Sequence, residues 1–176
     1  MEDSRSVTLH EQVAIFLYTV TGNNSTRRVA ERFQHSTQTI SNYVNSIAKA
    51  LCSPPSYSKY VQLPSNQVPS EIQENPKFFP FFQDVIAAID GSHISATPLA
   101  INRPHYRNCK GKVLQNVLLS CTFDMRFCHV LSGWEGSAND GMIYDDARHN
   151  DLSILPGKCY IADAGFPNCD SLLVPY

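Results

Sequence analysis

Two aspartates carry the strongest chemical signal in the 176-residue chain. Asp90 closes the apolar run Val85–Ile89 and opens Asp90-Gly91-Ser92-His93. Asp163 closes the run Gly157–Ala162 and opens Asp163-Ala164-Gly165. If both runs are strands lying side by side and parallel, the two acids meet at one end of a sheet. Paired carboxylates repel unless a cation lies between them, which makes Mg²⁺ or Mn²⁺ the natural companion. Ions at such a centre, about 3.5–4 Å apart when two are bound, activate water and stabilise the leaving oxygen of a phosphodiester. Gly91 and Gly165 stand beside the acids, where a missing side chain lets backbone or substrate approach. The same spacing also fits two ordinary loop acids following strands, and composition leaves both readings open.

The elements that would position these acids are legible as periodicity. Val113–Cys121 and Phe127–Trp134 read as strands around a hairpin turn at Phe123-Asp124-Met125-Arg126. Asp124 is therefore a turn residue at the far end of the sheet from Asp90. Ser137-x-x-Asp140 reads as a capping box for a helix over 138–149, with Ile143, Tyr144 and Ala147 inward. Asp140 is accordingly expected to be a structural acid at a positive helix end. The order strand, strand, strand, helix, strand fits the first half of a ribonuclease-H-like fold, in which the first and fourth strands are neighbours. His93 is expected on the other strand face from Asp90, either packed or near phosphate. Trp134 is expected to pack at the sheet.

The charge distribution agrees with a phosphate-facing segment. The net charge is −2, but residues 101–126 hold Arg103, Arg107, Lys110, Lys112 and Arg126 against Asp124 alone. Arg103, Arg107 and Lys110 are the phosphate-contact candidates, because they lie on the approach to the second strand. Hydrophobic residues at 43% and charged residues at 17% provide for a packed core and exclude wholesale disorder. No run of apolar residues is long enough to span a bilayer, and no secretory signal opens the chain, so no membrane role is expected. The six cysteines include no C-x-x-C pair, so reduced and mostly buried thiols are expected.

Residues 1–52 read as a separate helical domain. A helix over 8–20 would bury Val13, Phe16, Leu17 and Val20. Ser25 would cap a second helix through Phe33. Ser36 or Thr37 would cap a third, with Ile40, Val44, Ile47 and Leu51 inward. Three short helices with a tight turn before the third resemble a helix-turn-helix DNA-binding unit. Its outward face would present Gln38, Ser41, Asn42 and Asn45, while Arg27 and Arg28 engage the phosphate backbone. A three-helix packing module fits the same pattern. Residues 53–80 read as a Pro-rich linker with a short helix near Ser70–Glu74. Phe78, Phe79, Phe81 and Phe82 are expected to pack on the next domain, residues 81–176. The fold class expected is thus α/β: a small helix-turn-helix-like bundle, then an incomplete ribonuclease-H-like mixed sheet.

Several fragments in order then carry a family. Asp90-Gly91-Ser92-His93-Ile94, Tyr106-Arg107-Asn108-Cys109-Lys110-Gly111, Gly133-Trp134-Glu135-Gly136-Ser137-Ala138 and Asp163-Ala164-Gly165-Phe166-Pro167-Asn168 together resemble the PIF/Harbinger transposases and their domesticated nuclease relatives. The resemblance implies a DDE-type endonuclease using Mg²⁺ or Mn²⁺ on DNA, with Asp90 as the first catalytic acid and Asp163 as the second. It places the third acid, the fifth strand and the closing helices beyond Tyr176, which implies impaired cleavage. The alternative is a non-catalytic DNA-binding or protein-docking remnant acting through residues 8–51. Cys109 departs from the Arg common at that place in the family. The resemblance further implies a Myb/SANT-like protein partner and nuclear residence, with the cytoplasm as the other location; a homo-oligomer is a further candidate partner, and the sequence does not set the oligomeric state.

Overall fold

The computed structural model describes residues 7–108 and 110–175, so Cys109 lies outside the described residues. The chain divides into two compact units, one ending at Tyr60 and one beginning at Val61. The Pro-rich stretch 53–80 is shared between them.

The first unit contains α1 (Leu9–Gly22), α2 (Thr26–Phe33), α3 (Thr37–Leu51) and a short α4 (Ser56–Tyr60). Each of the first three helices begins at a hydroxyl cap. Thr8 accepts from Glu11 N, Ser25 from Arg28 N and Ser36 from Thr39 N, caps that contribute about 1 kcal/mol each. Gln34 ends α2 in the left-handed region, φ 57°, and turns the chain into α3. The core gathers Val7, Ile15, Val29, Ala30 and Ile40, with Tyr18 edge-on to Phe33 at 5.9 Å.

The buried face of α1 differs from the stripe expected. Gln12 and Ile15 are buried, whereas Val13, Leu17 and Val20 are 39%, 50% and 53% exposed. Apolar residues surround much of α1, so periodicity did not single out one face. Gln12 is tolerated inside because its amide donates to Val7 O at 3.1 Å. On α3, Ile40 and Ile47 are buried as expected, but Leu51 in the last turn is 52% exposed.

The second unit opens with α5 (Ser70–Gln73), whose Ile72 is buried. A mixed five-stranded sheet follows, comprising β1 (Val85–Ser95), β2 (Leu114–Cys121), β3 (Phe127–Glu135), β4 (Cys159–Ile161) and β5 (Leu172–Leu173), in spatial order β3-β2-β1-β4-β5. The β1–β2 and β2–β3 pairs are antiparallel, while β1–β4 and β4–β5 are parallel. Parallel neighbours need a crossover, and α6 (Asp140–Asn150) lies in the connection from β3 to β4. Ile143, Tyr144 and Ala147 of α6 pack with Ile89, Leu118, Cys128 and Tyr160 of the sheet.

Three expectations for this unit are corrected. β1 runs through to Ser95, because β2 pairs with it as far as Ser95↔Leu114 even after β4 has ended. A fifth strand, expected beyond Tyr176, is begun by Leu172–Leu173, which buried Leu172 holds against Tyr160. Phe78, Phe79 and Phe81 remain 44%, 41% and 80% exposed. They follow one another through consecutive turns, where only Phe82 is drawn inward, against Phe78 and beside Ile72 and Ile161.

The described cysteines are free, but only Cys128 is buried. Burial pushes its thiol up to about 11, which keeps it protonated and unreactive. The packing of α1 sets a clear expectation for urea denaturation followed through amide signals of α1–α3. Ile15→Ala should cost about 2–5 kcal/mol, whereas Leu17→Ala should stay within about 0.5 kcal/mol. Equal costs would contradict the observed face.

Candidate active site

Asp90 and Asp163 meet because of strand register. In the parallel β1–β4 pair, Ala88 stands opposite Ile161. Asp90 and Asp163 each lie two residues beyond that registered pair, Asp90 within β1, which continues to Ser95, and Asp163 just after β4 has ended. Parallel partners are separated by about 4.7–4.9 Å, and the charge of Asp163 acts on Asp90. Asp90 is held above the usual carboxylate range. Burial is the main cause, opposed by a hydrogen bond from the Gly91 backbone and reinforced by the charges of Asp163 and Asp140. Asp163 Oδ1 accepts from Gly165 N at 2.9 Å, which fixes the turn after β4.

Asp140 lies in the first turn of α6, as expected of an acid at the positive helix end, but Ser137 is not the cap. Asn139, with extended backbone, is the true cap of α6, and its Oδ1 accepts from Met142 N at 2.8 Å. The helix begins two residues later than the Ser137-x-x-Asp140 pattern suggested, at Asp140 and not at residue 138. Asp140 instead accepts from Asn116 Nδ2 at 3.2 Å, and a Cβ on Gly91 would collide with its Oδ1. A Cβ on Gly165 would meet Asp163 Oδ1 at 3.0 Å and Asp140 Oδ2 at 3.4 Å. The two glycines thus leave a space that carboxylates from α6 and from the turn after β4 both face. The one signal in the sequence that could have found this was the pair of glycines flanking the two acids.

The donor set is all carboxylate oxygen, which suits a hard cation such as Mg²⁺ or Mn²⁺. Among the described residues, no group of three or more His, Cys, Asp or Glu is placed so that it could hold a metal ion as it stands. The fit therefore rests on the glycine-lined space and on the chemistry of the acids.

A cavity of about 650 Å³ adjoins Asp140 and Gly165, and His93, Asn108, Lys110 and Lys112 line it. Lys110 is brought to this cavity, as is Lys112. Arg103 and Arg107 are exposed on the β1–β2 connection but are not among its described lining. His93 Nε2 is bonded to Gly136 O at 3.1 Å, so it ties β1 to the turn after β3. Asp124 pairs with Arg126 and Thr122 within the β2–β3 hairpin, as a turn residue should. Trp134 donates to Asp146 Oδ2 at 3.1 Å and packs on the core. In the helical unit, Arg27, Arg28, Gln38 and Asn42 are all exposed. Arg27 pairs with Glu31 at 3.5 Å, and Gln38 Nε2 donates to Asn42 Oδ1 at 2.9 Å.

The mixed sheet thus brings two acids to adjacent parallel strands, each two residues past the registered pair. A family described as DDE superfamily endonuclease matches residues 89–176, half of the chain, and the chain belongs to it. This agrees with the PIF/Harbinger resemblance of the motifs. A domain of unknown function (DUF8040) matches residues 1–53. No curated protein and no solved structure matches the chain. Among the described residues no helix is long and apolar enough to cross a membrane.

Proposed function

We propose that the second unit is a divalent-metal-dependent DNA endonuclease centre on a ribonuclease-H-like fold, in which Asp90 and Asp163 hold Mg²⁺ or Mn²⁺. The observation that carries it is the β1–β4 register, which sets both acids two residues past Ala88↔Ile161, within a stretch matched by the endonuclease family. When bound, such an ion would polarise the phosphodiester and lower the pKa of a water. The residues of the chain supply the rest. Asp90 and Asp163 offer the anionic oxygens, and the Gly165 amide orients Asp163. Lys110, with Arg103 and Arg107 along the same basic connection, draws the nucleic-acid backbone by charge.

Single-turnover assays on duplex DNA test this reading. Strand scission should require Mg²⁺ or Mn²⁺ and disappear with chelator, in Asp90→Asn and in Asp163→Asn. Equal scission by wild type and Asp90→Asn would sink it.

A second reading concerns residues 8–51, where capped α2 and α3 leave Arg27, Arg28, Gln38 and Asn42 exposed on one small unit. We infer that this unit binds DNA or docks a Myb/SANT-like protein without catalysis of its own. Nuclear residence and self-association belong to the same inference. Duplex-DNA affinity of the full chain should fall steeply with salt, with a shallower slope in an Arg27→Ala, Arg28→Ala double variant. An unchanged slope removes these arginines from the interface.

A further inference from the structure

The segment between β1 and β2 closes into a hairpin of its own before β2 begins. Arg107 and Val113 pair as an antiparallel bridge, and Leu114 N donates to Tyr106 O at 2.8 Å. Inside that hairpin, Asn108 Oδ1 accepts from both Lys110 N and Lys112 N, each at 3.0 Å. Asn108 N also donates to Lys112 O at 2.9 Å. One side-chain carbonyl thus fixes the backbone beneath two lysines, as an Asx turn does. Gly111 completes the reversal at φ 75°, where a side chain would be strained. The hairpin is also held at its base. A Cβ on Gly136 would fall 2.6 Å from Leu114 O and 2.8 Å from Tyr106 O, so the turn after β3 meets the hairpin backbone to backbone. His93 Nε2, bonded to Gly136 O at 3.1 Å, ties that turn to β1.

The lysines fixed in this way face a cavity. Both are exposed, and among the described residues neither forms an ion pair, whereas Arg27, Arg126 and Lys158 each do. Both line the cavity of about 650 Å³ whose walls also include Asp140 and Gly165. Gly165 stands against Asp163, whose Oδ1 lies 3.0 Å from where a Cβ would be. One opening therefore holds two ammoniums and borders the acidic end of the sheet. We propose that the 107–113 hairpin is a phosphate clamp for the DNA strand presented to the acids. Lys110 and Lys112 contact the strand's backbone phosphates, and Asn108 is the positioning residue. The inference rests on the endonuclease reading above and gives it a fixed contact in place of a diffuse basic segment. Diffuse attraction depends on net charge alone, whereas a clamp depends also on where its ammoniums are held.

That difference is measurable in the full chain. Titration with duplex DNA, followed by NMR of the lysine ammonium nitrogens, should move the Lys110 and Lys112 signals together. Lys158, already paired with Asp84, should stay still. In DNA-affinity measurements across a salt series, a Lys110→Ala, Lys112→Ala double variant should lose about 2 units of the log–log salt slope, about one per phosphate contact. Lys77→Ala, which removes an exposed lysine elsewhere in the same unit, should keep the wild-type slope. Asn108→Ala leaves the charge unaltered and should still weaken binding about fivefold, the loss that freeing the hairpin backbone would bring. The ammonium measurement needs no variant, so it stands even if a variant fails to fold. Motionless Lys110 and Lys112 signals at saturating DNA, an unchanged slope in the folded double variant, or wild-type affinity in folded Asn108→Ala would each overturn the clamp. The endonuclease reading survives those results, because it is tested by metal-dependent scission at Asp90 and Asp163. Failure of the wild-type chain to bind DNA overturns both.

Discussion

A parallel strand pair cannot be closed by a tight turn, and that constraint organises the second unit. β1 and β4 are brought together only because β2, β3 and α6 intervene, with α6 covering one face of the sheet on the way back. The register that results, Ala88 opposite Ile161, fixes where β4 ends against β1, which itself runs on beside β2. Asp90 and Asp163 follow from it. A slip of one residue in β4 would turn the side chains of Tyr160 and Ala162 out of the core and carry Asp163 away from Asp90. Tyr160, fully buried in the same core cluster as Ile143 and Leu118, opposes such a slip.

The acidic end is electrostatically unfavourable by construction. Asp90 is raised by burial and by two neighbouring carboxylates, and among the described residues no arginine or lysine is paired with it. Proteins retain such an arrangement where charge must be available to a ligand. The surrounding packing carries the cost through ordinary means: an apolar face of α6 against the sheet, an Asn139 cap, and Asn116 anchoring the loop before α6 through Ala138 O. The glycines matter for space. Gly91 and Gly165 admit the Asp140 and Asp163 oxygens where side chains would exclude them.

Much of this was legible from residue order. The hydroxyl caps at Ser25 and Ser36, the hairpin at Asp124, the α6 core residues and the adjacency of the first and fourth strands all follow local rules that the packing did not override. The failures have a common cause, since each depended on which of several available faces or partners tertiary packing selects. α1 carries apolar residues on more than one side, and the unit buries Gln12 and Ile15 rather than Val13 and Leu17. Asp140 sits in a capping pattern, yet the adjacent Asn139 takes the cap, and Asn116 on β2, far away in sequence, takes Asp140. Phenylalanines at 78, 79 and 81 look like core, but consecutive turns give them no sheet face to enter. Periodicity reports what could be buried; contacts distant in sequence decide what is.

The central claim, that the β1–β4 register builds a cation centre, is tested most directly by anomalous diffraction from crystals of the full chain grown with Mn²⁺. The account predicts a manganese peak within coordination distance, about 2.0–2.6 Å, of carboxylate oxygens of both Asp90 and Asp163. Manganese bound elsewhere, or well-ordered Asp90 and Asp163 carboxylates with no peak between them at saturating Mn²⁺, would contradict it.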